Sequence, residues 1–430
     1  MEETVKSPKV QQQRPMLSVV DSSTTRGWFS LQSVATVIIV IWLTVITVQV
    51  CAFHKSEGYE TMRWKAPMSG KHASQAFMPR GKASSSRARG TPMSGNNMTW
   101  RFPPDLPYLD ALKTCETLKC VRDAHAQPRQ GKEKFNFPHF IIAGYSKSAT
   151  TSLYKYLIHH PEVVVPKVKE ASLFTDRCSF EGKRLDCPDE RVREYIQDFL
   201  RVKGFVTSEA QRAVFEATPR IMDMGPVFAE ILHDLMPWVK LVSSMREPIS
   251  RSISKYVMLW DKDVNKSCIH DHSLVYCLGR DDTPIMGNPK DSYYSHPLKA
   301  WLDNFPKEQL HLIQYEDLVS TEDDGNIQAR EIKRLKEFIG VSVDELPNEL
   351  NFEDANCRHC RIKPQGWPMK ETFYRRLVEK VKPDVLELVR LIDKYGLGNG
   401  TRWYQNWERV WNKNLESCDK VTGMCDIQLT

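Results

Sequence analysis

Two segments of this sequence concentrate groups that grip anions. In the first, the apolar run Phe140-Ile-Ile-Ala143 reaches Gly144-Tyr-Ser146, and Lys147-Ser148-Ala149-Thr150-Thr151-Ser152 then opens an amphipathic stretch through Leu157. A strand that turns tightly into a helix aims unpaired backbone N–H groups and the positive helix end at one point, a natural seat for a phosphate. Lys147 adds a point charge there, and the Thr150 and Thr151 hydroxyls add donors. The second segment is Lys240-Leu-Val-Ser-Ser-Met-Arg246-Glu-Pro248-Ile-Ser-Arg251-Ser-Ile-Ser254-Lys-Tyr256. It reads as a buried strand ending at Arg246, stopped by Pro248, and a helix carrying Arg251, Ser254 and Tyr256. An arginine can hold a phosphate through two parallel N–H bonds, and a serine hydroxyl can complete the grip.

The first loop is not that of a nucleotide triphosphatase. That loop would read G-x-x-x-x-G-K-[ST], with the lysine just inside the helix. Here Ala149 stands at the second glycine, Thr150 at the lysine, and the lysine is displaced into the loop as Lys147. An alanine at that place demands a backbone angle glycine adopts more readily.

The elements that must position these groups alternate. Phe140–Ala143, Lys240–Ser244 and Leu310–Tyr315 read as short buried strands, and Ile332–Ile339 repeats apolar residues at helical spacing. That alternation, running from Phe135 onward, predicts an α/β fold with a central parallel sheet flanked by helices. The hydrophobic fraction of 41% and charged fraction of 27% suit a globular core and exclude disorder throughout. A net charge of +6 is too small to name a nucleic-acid partner.

From Trp28 to Phe53 no residue is charged, and a bilayer core needs about 20 apolar residues as a helix. With 27 residues before it, this stretch reads as a retained transmembrane signal-anchor and not a cleaved signal peptide. Residues 61–101 carry eight Lys or Arg and no Asp or Glu, among Pro, Ser and Gly, the composition of a tether. The expected organisation is a cytoplasmic tail at 1–27, the span at 28–53, a lumenal stem at 54–130 and a globular domain at 131–430. Asn97-Met-Thr99, Asn265-Lys-Ser267 and Asn399-Gly-Thr401 are glycosylation acceptors, and all follow the span. Ten cysteines beyond Cys51 form five close pairs: Cys115 and Cys120, Cys178 and Cys187, Cys268 and Cys277, Cys357 and Cys360, Cys418 and Cys425. This pattern favours local disulfide loops in an oxidising compartment over zinc, because Cys357-Arg-His-Cys360 has no second ligand pair; the connectivity stays open.

Lys147-Ser-Ala-Thr-Thr151 resembles the 5′-phosphosulfate-binding loop of sulfotransferases, commonly K-x-G-T-T, with Ala149 in the glycine place. Arg246-Glu-Pro248-Ile-Ser-Arg251-Ser-Ile-Ser254-Lys-Tyr256 matches all five specified positions of R-x-P-x-x-R-x-x-S-x-Y, the 3′-phosphate-binding element of glycan-modifying members. The resemblance runs from about Phe137 to Lys394 and takes in Phe215-Glu-Ala-Thr-Pro-Arg220, where Ala217 replaces a common lysine. It implies a donor, 3′-phosphoadenylyl sulfate, bound by Lys147, Ser148, Ala149, Thr150, Thr151 and Ser152 at one end and by Arg246 and Ser254 at the other. No metal is implied, since the donor arrives activated and the protein supplies the cations. In Pro166-Lys-Val-Lys169-Glu170-Ala-Ser-Leu-Phe174, Glu170 resembles the general base of the family's K-E-x-x-F-F or E-x-H-F-F segment. The resemblance gives Lys147 the task of stabilising the departing oxygen and Lys169 that of orienting Glu170 or the sulfate. Read without it, Glu170 is a surface carboxylate neutralising Lys167 and Lys169. His160 and His233 are alternative bases by chemistry, with a helix-end or core role as the plainer reading. Cys360-Arg-Ile-Lys363-Pro-Gln-Gly366 stands where relatives carry a further nucleotide-contacting loop, with its basic residues in a different order.

Anchor and stem resemble those of Golgi glycan sulfotransferases, which implies a single-pass type II Golgi membrane protein with a lumenal catalytic domain at 131–430 and a glycan acceptor. Met369-Lys-Glu-Thr-Phe-Tyr-Arg-Arg-Leu377 is similar to the tail of glycosaminoglycan sulfotransferases, above all the chondroitin-type N-acetylgalactosamine 4-sulfate 6-O-sulfotransferases, with heparan sulfotransferases next. Two rivals stand beside this: a lumenal nucleotide kinase or phosphatase, and a glycan-binding protein with a degenerate sulfotransferase fold, for which Ala149 and Ala217 are the best evidence.

Overall fold

The computed structural model describes residues 105–129, 135–199, 205–207, 210–261, 273–279, 293–320, 325–348 and 366–430. The expected span, residues 54–104 of the expected stem, Asn97, Asn265, Cys268, Cys357, Cys360 and Lys363 lie outside the described residues. Residues 105–129, also expected as stem, instead form helices at Leu106–Lys113 and Leu118–Ala126, with Tyr108, Leu109, Leu112 and Val121 buried. Among those described, no helix is long and apolar enough to cross a membrane.

Four parallel strands make the central sheet: β1 (Phe140–Gly144), β2 (Phe215–Glu216), β3 (Lys240–Met245) and β4 (Leu310–Gln314). Their order is β2-β1-β3-β4. Every residue of β1 and β4 is buried, because a parallel sheet is covered on both faces; β1 therefore reads as a continuous apolar run, whereas β4 buries His311 and Gln314 among its apolar residues. Phe140 lies opposite Phe215 across the β1–β2 pair, and their rings stack at 4.8 Å. The expected parallel sheet is therefore present, with β2 as an edge strand too short to show as a run. Around it lie α1 (Thr150–Leu157), α2 (Gly225–Leu235), α3 (Pro248–Asp261), α4 (Ser295–Asn304) and α5 (Asn326–Ile339). The expected helix at Ile332–Ile339 is the second half of α5, which stops where Gly340 turns left-handed at φ 78°.

Beyond Gly366, β5 (Trp367–Lys370) leads into α6 (Glu371–Tyr395), then α7 (Gly400–Glu416), then β6 (Met424–Ile427), which pairs antiparallel with β5. A Cβ on Gly400 would lie 2.4 Å from the Val389 carbonyl, so only glycine lets α7 start this close to α6. Along α7, Trp403, Trp407 and Trp411 recur every four residues and form one buried face. Disulfides join Cys115–Cys120, Cys178–Cys187 and Cys418–Cys425, three of the five close pairs, and Cys277 is also disulfide-bonded.

The order β2-β1-β3-β4 makes β1 a switch point. The chain leaves it toward β2 on one side and then crosses back to β3 on the other. Ligands of open α/β sheets bind beyond the carboxyl ends of the strands at such a point. Lys147 follows β1, Thr218 follows β2, Arg246 follows β3 and Glu316 follows β4, all at that end.

Candidate active site

The loop after β1 is shaped by close approach and handedness. A Cβ on Gly144 would stand 2.5 Å from Met222 Cβ, so glycine is needed for the strand to end against the segment Pro219–Met222. Lys147 (φ 72°) and Ala149 (φ 61°) both adopt the left-handed conformation, curling the chain into α1. Ala149 is the residue before the helix and offers no side-chain cap, which leaves the α1 N-terminal N–H groups uncapped by it. Ser148 is fully buried, and its Oγ has no hydrogen-bond partner among the described residues. A buried hydroxyl without a partner is costly unless a ligand or water completes it, so this loop fits an oxyanion.

Arg246 arrives from the end of β3 and is 2% exposed. Its Nη1 donates to the Lys147 carbonyl at 3.3 Å, bringing the two sequence motifs into direct contact. Its guanidinium lies 4.6 Å from the Tyr315 ring centre, and Tyr294 donates its hydroxyl to the Arg246 carbonyl at 2.7 Å. Thr430 also binds it: Nε donates to Thr430 Oγ1 at 3.2 Å and Nη2 donates to the Thr430 main-chain oxygen. Ser254 is buried two turns into α3.

Arg251, three residues into the same helix, does a different job. It is 2% exposed, its Nε donates to the Ser146 carbonyl at 3.1 Å, and its Nη2 reaches Asp223 at 3.4 Å. It holds the phosphate loop from behind. Glu247, which sequence reasoning passed over, caps α3: its two carboxylate oxygens accept the Ile249 and Ser250 N–H groups at 2.8 and 2.6 Å, and Trp411 donates to it at 2.8 Å. A carboxylate thus takes up the start of α3 and leaves the anion to Arg246 and the β1 loop. The signal was present as a carboxylate immediately before a helix-starting proline.

The segment that follows Glu170 is tied to β2 by a chain of hydrogen bonds through Ser172. The Ser172 N–H donates to Thr218 Oγ1 at 3.3 Å, Thr218 donates to Glu216 Oε1 at 2.6 Å, and Tyr195 donates to Glu216 Oε2 at 2.7 Å. Burial raises the Glu216 carboxyl above its ordinary range, with the Glu170 charge adding to the effect. Leu173 and Phe174 are buried, Phe174 packing 4.9 Å from Phe228 and 5.6 Å from Tyr195. This buried pair pins the segment while Glu170 stays about half exposed, ion-paired with Lys169. Glu170 lines a cavity of about 160 Å³ with Lys167, Arg177, Arg191 and Glu194. Ala217 is fully buried and supplies no cation.

The two histidines serve the framework. His160 bonds the Ser342 carbonyl through Nε2 at 2.9 Å and accepts the Glu162 N–H at Nδ1, and His233 packs on the edge of Phe305 at 5.1 Å. Asn399 is exposed at the N-cap of α7, where its Oδ1 accepts the Arg402 N–H at 2.9 Å and its Nδ2 is the atom a glycan would modify.

A family model described as "Sulfotransferase domain" matches residues 137–384. Heparan sulfate glucosamine 3-O-sulfotransferase 6 of Homo sapiens is 25% identical over 241 residues, 55% of this chain and 62% of that protein. Carbohydrate sulfotransferase 15 of Rattus norvegicus is 27% identical over 233 residues, 43% of this chain and 41% of that protein. The chain thus spans less than two thirds of the length of these relatives. A solved sulfotransferase of Alicyclobacillus acidocaldarius is 26% identical with a TM-score of 0.42, covering 60% of this chain and 96% of that one. The displaced lysine after β1, the arginine after β3 and a family match over more than half of the sequence agree: this chain belongs to the sulfotransferase family.

Proposed function

We propose that this chain moves a sulfuryl group from 3′-phosphoadenylyl sulfate to a hydroxyl of a glycan. The observation that carries this reading is the contact between Arg246 Nη1 and the Lys147 carbonyl, which joins a phosphosulfate loop and a phosphate-binding arginine at neighbouring strand ends. The β1 loop, Lys147 to Ser152, receives the 5′-phosphosulfate. Arg246, with Ser254, receives the 3′-phosphate that separates this donor from ATP. In the transfer, the acceptor oxygen forms a bond to sulfur while the bond from sulfur to the bridging phosphate oxygen breaks. Glu170 takes the acceptor proton, Lys147 stabilises the charge developing on the bridging oxygen, and Lys169 orients Glu170. The products are a sulfate ester and adenosine 3′,5′-bisphosphate.

The acceptor we favour is a glycosaminoglycan, first the 6-hydroxyl of N-acetylgalactosamine in chondroitin or dermatan sulfate. Heparan sulfate is the second reading, favoured by the relative named for it, whose match spans more of this chain than that of the carbohydrate sulfotransferase. Three disulfides and an exposed Asn399 support a lumenal domain, and the apolar stretch 28–53 supports a Golgi membrane anchor followed by a stem. The test is incorporation of radiolabel from the donor into chondroitin, dermatan, heparan and keratan acceptors by protein made in a secretory host. Label in chondroitin or dermatan supports the first reading and label in heparan the second. A donor that binds without transfer to any acceptor would instead support a glycan-binding protein.

A further inference from the structure

The segment that contacts Arg246 is fixed up to Gln428. Asn414, buried on α7, accepts the Gln428 N–H at 2.8 Å and donates to the Gln428 carbonyl at 3.1 Å. Upstream, β6 is paired to β5, and Cys418–Cys425 ties β6 to the end of α7. Chain delivered this way places Thr430 against one edge of the Arg246 guanidinium. Its hydroxyl oxygen accepts from Nε at 3.2 Å and its main-chain oxygen from Nη2. Nε and Nη2 are the pair of donors that an arginine offers to two oxygens of one phosphate. The Thr430 hydroxyl further donates to Glu316 at 3.0 Å, and its N–H reaches Ser250 Oγ at 3.4 Å.

We infer that residues 429–430 are an intramolecular competitor for the donor's 3′-phosphate, an autoinhibitory contact that must swing off Arg246 before the donor seats. This rests on the reading of Arg246 as the 3′-phosphate ligand. Two oxygens of one residue cover the edge a phosphate needs, so segment and phosphate exclude each other there. Bonds from an arginine to a phosphate are charge-assisted and stronger than those to a hydroxyl, so the donor displaces the segment. The movement begins beyond Gln428, because Asn414 holds the chain there. The apparent donor affinity is then lowered by the fraction of molecules whose Arg246 edge is open. A nucleotide without a 3′-phosphate does not feel the contact.

The test is titration calorimetry on the full chain with adenosine 3′,5′-bisphosphate and, separately, adenosine 5′-monophosphate. Removing residues 429 and 430 is expected to tighten bisphosphate binding by about tenfold and leave monophosphate binding unchanged. Gln428→Pro, which removes the N–H held by Asn414 but none of the groups at Arg246, is expected to shift binding in the same direction. Unchanged or weaker bisphosphate binding in both variants would overturn the inference, as would an equal gain for the monophosphate. Arg246→Ala separates the two claims. If it abolishes the preference for bisphosphate while the tail variants change nothing, the inference alone fails. If the preference survives Arg246→Ala, the reading of the site fails with it.

Discussion

The Arg251 guanidinium donates to the Ser146 carbonyl at 3.1 Å and lies 4.8 and 5.3 Å from the ring centres of Tyr145 and Tyr294. A residue on the second motif's helix thus fixes the backbone of the first motif's loop. Arg251→Lys keeps the charge but loses the planar fork that reaches both Ser146 and Asp223. The expected outcome is a donor KM raised by about tenfold, worth ~1.4 kcal/mol, with kcat changed less. Steady-state kinetics check it. A fall in kcat at constant KM would place Arg251 in the chemical step instead.

The strand β1 was legible because a strand buried on both faces shows as an unbroken apolar run, and β3 and β4 because each holds a short apolar stretch beside the buried Ser243, Ser244, His311 and Gln314. The short edge strand β2 was not, since two residues carry no periodicity. The loop and Arg246 were legible because their chemistry is local in sequence. The hydrogen-bond chain from Tyr195 through Glu216 and Thr218 to Ser172 was not. Its members come from separate elements, and only the sheet brings them together. The grip of Thr430 on Arg246 joins residues 184 positions apart and leaves no trace in spacing.

At both Ala149 and Gly144 the methyl is the costlier choice, so Ala149→Gly and Gly144→Ala should move stability in opposite directions. Ala149 has φ 61° and ψ 14°, a conformation that costs an L-residue roughly 1 kcal/mol and glycine almost nothing. Ala149→Gly should raise the melting temperature by about 2 °C, less whatever the freer unfolded chain takes back. Gly144→Ala should lower it, because Met222 Cβ would be 2.5 Å from the new methyl. Thermal unfolding of the two variants decides: a stabilised Gly144→Ala or a destabilised Ala149→Gly would contradict the loop geometry.

Glu170 and Arg246 should fail in different ways. Glu170→Gln keeps the size and removes the proton acceptor, so turnover should drop by roughly 10²–10⁴-fold while donor binding survives. Arg246→Ala should raise the donor KM, because it removes binding present before and during transfer. Single-turnover and steady-state assays separate the two. Near-normal turnover by Glu170→Gln would exclude it as the base, and an unchanged KM in Arg246→Ala would free the 3′-phosphate from its assigned ligand.

The acid next to the donor site makes a prediction about pH. Burial pushes the Glu316 carboxyl up to about 7, although it accepts the Glu247 N–H at 2.9 Å and the Trp407 indole N–H at 2.8 Å. Its neighbour Asp317 is pushed up to about 6, again by burial, against the opposing charge of Arg402. Both groups bind their protons more tightly in the folded chain than in the unfolded one. Their contribution to stability is therefore fully present below the ordinary carboxylate range and is lost as pH rises through about 7 for Glu316. Glu316→Gln removes the larger of these two shifts. Melting temperatures taken from pH 4 to 8 should fall less steeply with rising pH in the variant than in the parent, and the two curves should run parallel above about pH 8. Curves that stay parallel across the whole range would mean that Glu316 does not hold its proton more tightly in the fold. Because Thr430 links this carboxyl to Arg246, the same titration places a negative charge beside the 3′-phosphate position above about pH 7. Donor affinity should accordingly weaken through that pH in the parent and hold steady in Glu316→Gln.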